Sequence, residues 1–502
     1  MKHDLKNLLK PWINIIRTYK ITGITSDSRK VTSGYLFCAL QGTKCHGKIF
    51  IKKSIKNGAI AILCETKQIK YHGYITYTAK KIPIIYFFEL SQYLFKISSR
   101  YYKINEMLTL IGVTGTNGKS TVAHMIAQWN NLLNHKIGIM GTLGNGTYNN
   151  LKPSKNTTES PINIQKFLKK MSIENIRTIV MEISSHGIIQ NRVSHLHFSI
   201  AILTNITSDH LDYHKTIENY IQAKWTFFSQ NNIKTFIINI NDTIGKIWTE
   251  KLPKHNTIVI SIKQQFNYSS FKQWIYANYI IHDKDYTYIY FKSSWGNGLL
   301  KNKLIGYFNI SNLLLAFATL LELGHSLSHL INTCKNITTV FGRMQLFKAP
   351  RTPYIIIDYA HNENALKNVL KTVRKMCHHN KIWCVFGCGG NRDKLKRFFM
   401  GQTAQKIANK IILTNDNPRY EKPIEIVKDI IKGCKNKKNI YVILDREKAI
   451  NFAVINAKIC DYIVILGKGH EQYQIVKNKS YYFSDHNIVK KLLENKYDSD
   501  IY

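Results

Sequence analysis

The stretch "GVTGTNGKST" (112–121) sets glycines beside a lysine, after the apolar run "LTLIGVT" (108–114) and before the helical pattern "VAHMIAQWNNLL". In a strand–loop–helix of this kind, successive backbone N–H groups cradle phosphate and the helix N-terminus adds positive potential. Gly115, Thr116, Asn117 and Gly118 supply the cradle, Lys119 reaches the terminal phosphates, and Ser120 offers Mg²⁺ an oxygen. Gly112 lies one residue further from the Gly118-Lys119 pair than in the usual nucleotide loop. A second anion-handling stretch is "TNDNPR" (414–419), where the run Ile411-Ile412-Leu413 ends in turn formers. That turn holds out Arg419, whose guanidinium can grip a carboxylate or phosphate through two parallel hydrogen bonds.

Other strand ends carry related chemistry. "MEISSHG" (181–187) presents Glu182, and "TNITSDHLDYH" (204–214) presents Asp209, His210, Asp212 and His214. Glu182 and His210 are the expected metal-side pair near nucleotide phosphates. In "GYFNISN" (306–312), Asn309 and Asn312 suit the edge of a base. Arg343 of "FGRM" suits charge developing on a transferred phosphate. His361 of "DYAHN" (358–362) reads equally well as a buried structural histidine.

These motifs need elements to position them. Short, β-branched, nearly continuous apolar runs such as "YIIIDYA", "IWCVFGCGG", "KIILTND" and "DYIVILGKG" suit strands buried on both faces of a parallel sheet. Helical stretches such as "NALKNVLKTVRKM" alternate with them, which predicts α/β domains. Ligands bind off the carboxyl ends of such strands. The loops "GCGGNRDKLKR", "TNDNPR" and "GKGHEQY" are therefore expected to converge, so that Arg419 shares a site with Arg392, Gly467, His470 and Glu471. Texture divides the chain into segments 1–89, 90–336 and 337–502, consistent with the roughly three domains that 502 residues allow.

Bulk composition narrows the class. The opening "MKHDLKNLLKPW" lacks the apolar core of a signal peptide, and the longest apolar run, "LLLAFATLL" (313–321), is far short of the roughly 20 residues of a membrane span. The expectation is a soluble cytoplasmic protein, whose nine scattered cysteines stay reduced. The net charge of +40 raises nucleic-acid binding, but lysine is spread evenly among Ile, Asn and Tyr, without a basic tail, zinc-finger spacing or RNA-binding signature. The charge is read as compositional, favourable to anionic substrates.

Taken in order, "TSDSR" (25–29), "GTNGKS", "NTTES", "EISSHG", "DHLDYH", "AKW", "FNISN", "GRM", "DYAH", "GCGGNRDK", "DNPR" and "GKGHE" resemble the Mur ligases, ATP-dependent amide-forming enzymes of peptidoglycan precursor synthesis. The resemblance covers almost the whole chain. It implies a UDP-substrate domain, a central P-loop-type ATPase domain with a mostly parallel sheet, and a C-terminal Rossmann-like domain. It implies a monomer using ATP and Mg²⁺, with no nucleic acid and no membrane span. The substrates implied are UDP-N-acetylmuramoyl-L-Ala-D-Glu and, because "DNPR" marks that branch of the family, meso-diaminopimelate. A lysine-adding relative, or another enzyme of the superfamily such as folylpolyglutamate synthase or the pentapeptide-forming ligase, is the alternative; the UDP-side motifs and "DNPR" speak against the last two. A nucleic-acid-stimulated ATPase and a scaffold that has lost catalysis are more distant rivals.

By the same resemblance, Asn309, Asn312, Arg343 and Asp358 join the loop residues at ATP. Ser26, Ser28, Thr43, Lys44 and Cys45 match positions near uridine, although relatives often have His-Gln-Ala at the last three. Asn156, Thr157, Thr158, Ser184, Gln190 and Arg192 match positions that hold the muramoyl dipeptide. Arg392, Asp416, Asn417, Pro418, Arg419, Gly467 and Glu471 match the diaminopimelate site. Lys224 of "AKW" matches a lysine that is carbamylated, joining Ser120, Glu182 and His210 as a metal ligand; the bland reading is a surface lysine on an amphipathic helix. "DYAHNENAL" has Asn362-Glu363 where relatives commonly have Thr-Pro, and Phe398 replaces a common Pro; neither is expected to touch a site residue.

Overall fold

The apolar runs fold as strands covered by helices on both faces. The computed structural model describes residues 3–42, 45–104, 107–230, 232–264, 268–283, 285–377 and 379–498. The chain divides into two compact units: residues 1–112, 136–199 and 223–234 form the first, and 113–135, 200–222 and 235–502 the second.

In the first unit, a five-stranded sheet has the order Gly23–Thr25, Tyr35–Ala39, Ala59–Thr66, Pro83–Phe88, Ile75–Tyr77. Its pairs are parallel except the last. Alternate residues serve opposite faces. Leu36, Cys38, Leu63 and Phe87 pack with Leu90, Leu94 and Ile97 of helix Leu90–Tyr102, while Phe37, Ala39 and Ile62 pack on the other side with Val31. This two-sided burial is why the runs are continuously apolar. The same unit holds strand Thr178–Glu182, parallel to Gly138–Gly141, which pairs antiparallel with Gly144–Thr147.

In the second unit, helix Lys119–Leu132 follows the phosphate-loop motif, and its Trp129 lies 5.5 Å from Phe317 of helix Tyr307–Glu322. The run "LLLAFATLL" is thus a core helix, buried all round. Among the described residues no helix is long and apolar enough to cross a membrane. Strand Ile233–Asn239, which belongs to this unit from Thr235 onward, Thr257–Ser261 and Gln273–His282 are parallel neighbours, followed by antiparallel Thr287–Ser293 and Gly298–Asn302.

A six-stranded sheet completes the second unit, in the order Gln345–Phe347, Tyr354–Asp358, Tyr462–Leu466, Ile382–Phe386, Lys410–Leu413, Ile440–Val442. All pairs but the first are parallel. Residues from helices Glu363–Cys377, Leu395–Ile407 and Pro423–Ile431 fill one face, and from Arg446–Asn456 and Asp485–Asp498 the other. Strands 382–386, 410–413 and 462–466 are adjacent, so their carboxyl-end loops emerge side by side, as the sequence leads one to expect.

Beneath those loops sits a fully buried ion pair. Arg446 Nε and Nη2 donate to Asp485 Oδ1 and Oδ2, each at 2.8 Å. Nη2 also donates to the Leu466 carbonyl at 2.9 Å and Nη1 to Asn415 at 3.3 Å. One guanidinium thus ties two strand ends to the last helix. Removing one partner of such a pair leaves a buried charge uncompensated, at about 3–5 kcal/mol. Asp485→Asn is expected to lower unfolding free energy by about that much in urea titration; an unchanged midpoint would show the pair to be dispensable.

Candidate functional site

The phosphate loop turns at two glycines whose backbone only glycine adopts without strain. Gly115 (φ +142°) and Gly118 (φ +90°) both lie where side chains are disfavoured, and added Cβ atoms would fall 1.9 Å from Thr204 Oγ1 and 2.6 Å from Asn312 Oδ1. Thr116 Oγ1 donates to the Thr207 carbonyl at 3.0 Å, and the Asn117 N–H to Asn205 Oδ1 at 3.0 Å. Lys119 Nζ donates to the carbonyls of Gly115 and Thr116, both at 2.8 Å, which holds the ammonium over its own loop. Asn312 therefore packs against the loop. Asn309, expected at a base edge, instead donates to the Ile305 carbonyl at 2.9 Å and accepts from Asn312 at 3.4 Å.

Arg343 reaches this loop from another part of the chain. Its Nη2 donates to Ser120 Oγ at 3.3 Å, and its guanidinium lies 4.3 Å above the Tyr359 ring. Its Nε is buried with no hydrogen-bond partner among the described residues. Asp358 spends its carboxylate on the backbone N–H groups of Met344 (2.8 Å) and Ala360 (2.7 Å), fixing the turn that carries Arg343. Burial raises its pKa, against the pull of the Arg343 charge.

Asn362 corrects one expectation. Its side-chain amide donates to Asn117 Oδ1 at 3.3 Å and to Asp209 Oδ2 at 3.0 Å, so this departure from the family pattern touches the phosphate loop directly. Its Oδ1 meanwhile accepts from the Ala365 N–H at 2.9 Å, capping the helix. Asp209 also faces His361 Nε2 at 3.5 Å. Burial opposes ionisation of Asp209, but the bond and charge of His361, with His210 and Lys396, hold its carboxyl well below the usual range. His210, a candidate ligand, sits at φ +56° ahead of helix Leu211–His214, its N–H bonded to Asp209 Oδ1 at 2.9 Å.

The three loops at the adjacent strand ends do converge. Arg419 occupies a left-handed turn (φ +52°). Its Nη1 donates to the carbonyls of Gly390 (2.8 Å) and Asn417 (3.4 Å), and its N–H to Ile475 at 3.0 Å. Burial, and then the neighbouring charge of Arg392, push its pKa below the ordinary guanidinium value. A bound carboxylate would relieve both penalties. Arg392 itself is exposed, Nη1 3.4 Å from the Asn391 carbonyl. Asn417 donates to Glu471 Oε2 at 2.8 Å and accepts from the Ile475 N–H at 2.9 Å. Fully buried Lys468 donates to the same Glu471 oxygen at 3.2 Å. Burial, then the Asp416 charge, raises the pKa of Glu471. Asp416 Oδ2 would lie 2.6 Å from a Cβ at Gly467 (φ +109°), so that position must be glycine. His470 leaves this group: its ring lies 4.8 Å from that of Tyr359, and burial, then the Arg343 charge, pushes its pKa down.

In the first unit, the Glu182 carboxylate accepts from the Thr142 N–H (2.8 Å) and hydroxyl (3.1 Å), and that hydroxyl also reaches Thr157 Oγ1 at 3.1 Å. Thr158 Oγ1 donates to the Glu182 carbonyl and accepts from the Ser184 N–H, both at 2.8 Å. Arg192 donates to the Thr158 carbonyl and, through Nε at 3.1 Å, to Gln190 Oε1. Thr157, Thr158, Glu182, Ser184, Gln190 and Arg192 therefore form one network. Asn156 bonds locally to Ser154, through its N–H at 3.2 Å and its carbonyl at 2.7 Å. Ser26 lies just beyond strand Gly23–Thr25, Ser28 gives its carbonyl to Asn57 at 2.9 Å, and Cys45 is exposed. Thr43 and Lys44 lie outside the described residues. Lys224 is 1% exposed, which removes the surface-lysine reading.

The sequence matches the Mur ligase catalytic domain over residues 20–102, the middle domain over 113–320, and the glutamate ligase domain over 342–469. A UDP-N-acetylmuramoyl-L-alanyl-D-glutamate–2,6-diaminopimelate ligase of Buchnera aphidicola subsp. Baizongia pistaciae is 54% identical across 98% of each chain. The chain belongs to the Mur ligase family. A ligase of the same name from Buchnera aphidicola subsp. Schizaphis graminum is 49% identical across 99% of each chain. A solved structure of an enzyme with this name superposes with a TM-score of 0.65 at 30% identity, covering 99% of this chain and all of the other.

For a Mur ligase, Mg²⁺ is the expected cation. Among the described residues no group of three His, Cys, Asp or Glu side chains could hold a metal by itself. Mg²⁺ bound mainly through nucleotide phosphates, water and one or two protein oxygens needs no such cage; the Ser120 hydroxyl and the Glu182 carboxylate are each, taken singly, an oxygen of the kind it accepts. Sequence reasoning missed Lys468, Tyr359 and the contacts of Asn362; each acts through a partner remote in sequence. His124, on the phosphate-loop helix, is pushed down to about 4 by burial and then by the Arg343 charge. It is neutral when folded and gains a proton on unfolding below its ordinary value of 6.5, so stability falls as pH drops from 6.5 towards 4. We expect that slope, at most ~1.4 kcal/mol per pH unit from this group, to flatten in His124→Gln; equal slopes in urea titrations at pH 5 and pH 7 would refute it.

Proposed function

We propose that this Mur ligase joins meso-2,6-diaminopimelate to UDP-N-acetylmuramoyl-L-alanyl-D-glutamate, with cleavage of ATP to ADP and phosphate. The observation that carries the amino-acid choice is Arg419, a half-buried guanidinium held by carbonyl oxygens at a strand end. Diaminopimelate is lysine with one further carboxylate. A site built to pair that charge rejects lysine because its own arginine would be left unpaired. Arg392 stands with Arg419 at the carboxylate; Asp416, Asn417, Pro418 and Gly467 shape the pocket, and Glu471 faces the ammonium.

The D-glutamyl carboxylate attacks the γ-phosphate, giving an acyl phosphate and ADP. The diaminopimelate amine then adds to the acyl carbon, loses a proton, and expels phosphate to leave an amide. The first step brings two anions together. Lys119 and Arg343 lower that repulsion, Arg343 from its position at Ser120 Oγ. Bound Mg²⁺ supplies further charge neutralisation at the phosphates. We assign its protein ligands to Ser120, Glu182, His210 and a carbamylated Lys224. Carbamylation converts a lysine ammonium into a carboxylate-like group, an oxygen ligand of the kind Mg²⁺ takes, and Lys224 is buried as a metal ligand would be. The ATP site further includes Gly115 to Gly118, Asn312 and Asp358. Ser26, Ser28, Thr43, Lys44 and Cys45 serve uridine, and the Thr157–Arg192 network with Asn156 serves the dipeptide. On this reading residues 1–89 form the UDP-substrate domain, 90–336 the ATP domain and 337–502 the amino-acid domain of a soluble, cytoplasmic monomer.

Incubation with ATP, Mg²⁺, the UDP-dipeptide and diaminopimelate is expected to give a tripeptide product by mass, and its absence would overturn the proposal. Arg419→Ala is expected to lose at least ~100-fold in diaminopimelate turnover, as for a lost buried charge-assisted pair of ~3 kcal/mol; near-native turnover would remove Arg419 from the site. Lys224→Ala is expected to be inactive and partly restored by acetate or bicarbonate. Full activity without either additive would exclude a carbamate.

A further inference from the structure

Arg419 can select a carboxylate only if its guanidinium is held still, and the structure shows what holds it. Its side chain rests on the Gly390 carbonyl at 2.8 Å. That peptide belongs to the loop after strand Ile382–Phe386, whose approach to the Arg419 turn is so close that a Cβ at Gly390 would lie 1.9 Å from the Pro418 carbonyl. A Cβ at Gly389 would lie 2.8 Å from Arg419 Nη1. Two loops this near each other need a fastener, and an ion pair between a buried arginine and a partly buried glutamate spans them.

Arg397, fully buried on helix Leu395–Ile407, donates Nη1 to Glu421 Oε2 at 2.8 Å and Nη2 to Glu421 Oε1 at 3.0 Å. Nη2 also donates to the Gly389 carbonyl at 3.3 Å, and Nη1 to Asp429 Oδ2 at 3.1 Å. Glu421 lies two residues beyond Arg419, and its Oε1 also accepts the Asn391 N–H. The peptide that carries the Gly390 carbonyl is therefore anchored through its own N–H, that of Asn391, to Glu421, and the peptide before it through the Gly389 carbonyl to Arg397. Asn391 returns the contact, its Oδ1 accepting the Tyr420 N–H at 3.1 Å.

We infer that Arg397 and Glu421 are positioning residues for amino-acid selectivity, fixing the Gly389–Asn391 loop so that its carbonyl aims Arg419 at the distal carboxylate of the amino-acid substrate. The inference rests on the function proposed above. Neither residue reaches the substrate; the pair acts through the geometry of Arg419. A merely structural pair would stabilise the fold without favouring one substrate.

The test compares wild type with Glu421→Gln and Glu421→Asp, measuring phosphate release with diaminopimelate and with L-lysine. Glu421→Gln keeps the shape and loses the charge; Glu421→Asp keeps the charge at shorter reach. The expected result is a KM for diaminopimelate raised at least ~10-fold in Glu421→Gln, with partial recovery in Glu421→Asp. The KM values for ATP and the UDP-dipeptide should stay within about twofold, and the preference for diaminopimelate over lysine should shrink. Unchanged diaminopimelate KM and preference in Glu421→Gln, or all three KM values rising together, would overturn the inference. Should Glu421→Gln not fold, as judged by its melting curve, Glu421→Asp alone decides by the same criteria. Wild type inactive with diaminopimelate would instead refute the proposed function.

Discussion

A half-buried cation satisfied by neutral oxygens is the constraint on which the amino-acid pocket depends. Among the described residues, the Arg419 guanidinium bonds to the carbonyls of Gly390 and Asn417 and to no carboxylate. Two other arginines beneath the same loops are treated differently: Arg397 is matched by Glu421 and Asp429, and Arg446 by Asp485. Folding completes those pairs. At Arg419 burial, and then Arg392, hold the pKa down against the pull of Asp416 and Glu471. On the proposed function a substrate carboxylate would relieve that penalty, and a substrate without one would not.

The parallel sheet is what makes this arrangement possible. Adjacent strands release three loops at one edge, and glycines at 389, 390 and 467 allow their backbones to approach within side-chain distance. Arg446 and Arg397 then tie the loops down from below. On the phosphate side, Tyr359 plays a comparable part, supporting Arg343 on its ring and packing against His361 and His470.

Much of this was legible in the sequence because it is local. The strand–loop–helix around Lys119, the strand ends carrying Glu182 and Arg419, and the convergence of three loops all follow from apolar runs punctuated by turn formers. The contacts that were not legible join residues far apart in the chain. Asn362 sits beside a helix start, where an amide reads as a cap; nothing local indicates that it also reaches Asn117 and Asp209. Lys468 and Lys224 look like any other lysine in a chain with 71 basic residues, yet both are buried. Asn309 pairs inward because its helical position faces the preceding turn rather than a ligand. His470 stands one residue before Glu471 but turns to Tyr359, since neighbouring loop residues need not share a direction.

On the proposed function, the charge on Arg419 selects the added amino acid. The most direct measurement is phosphate release by the wild-type protein with ATP, Mg²⁺ and the UDP-dipeptide, adding meso-diaminopimelate or L-lysine in parallel. Release with diaminopimelate, and little with lysine, is the predicted result. Equal release with both, or release with lysine alone, would contradict the account of the pocket.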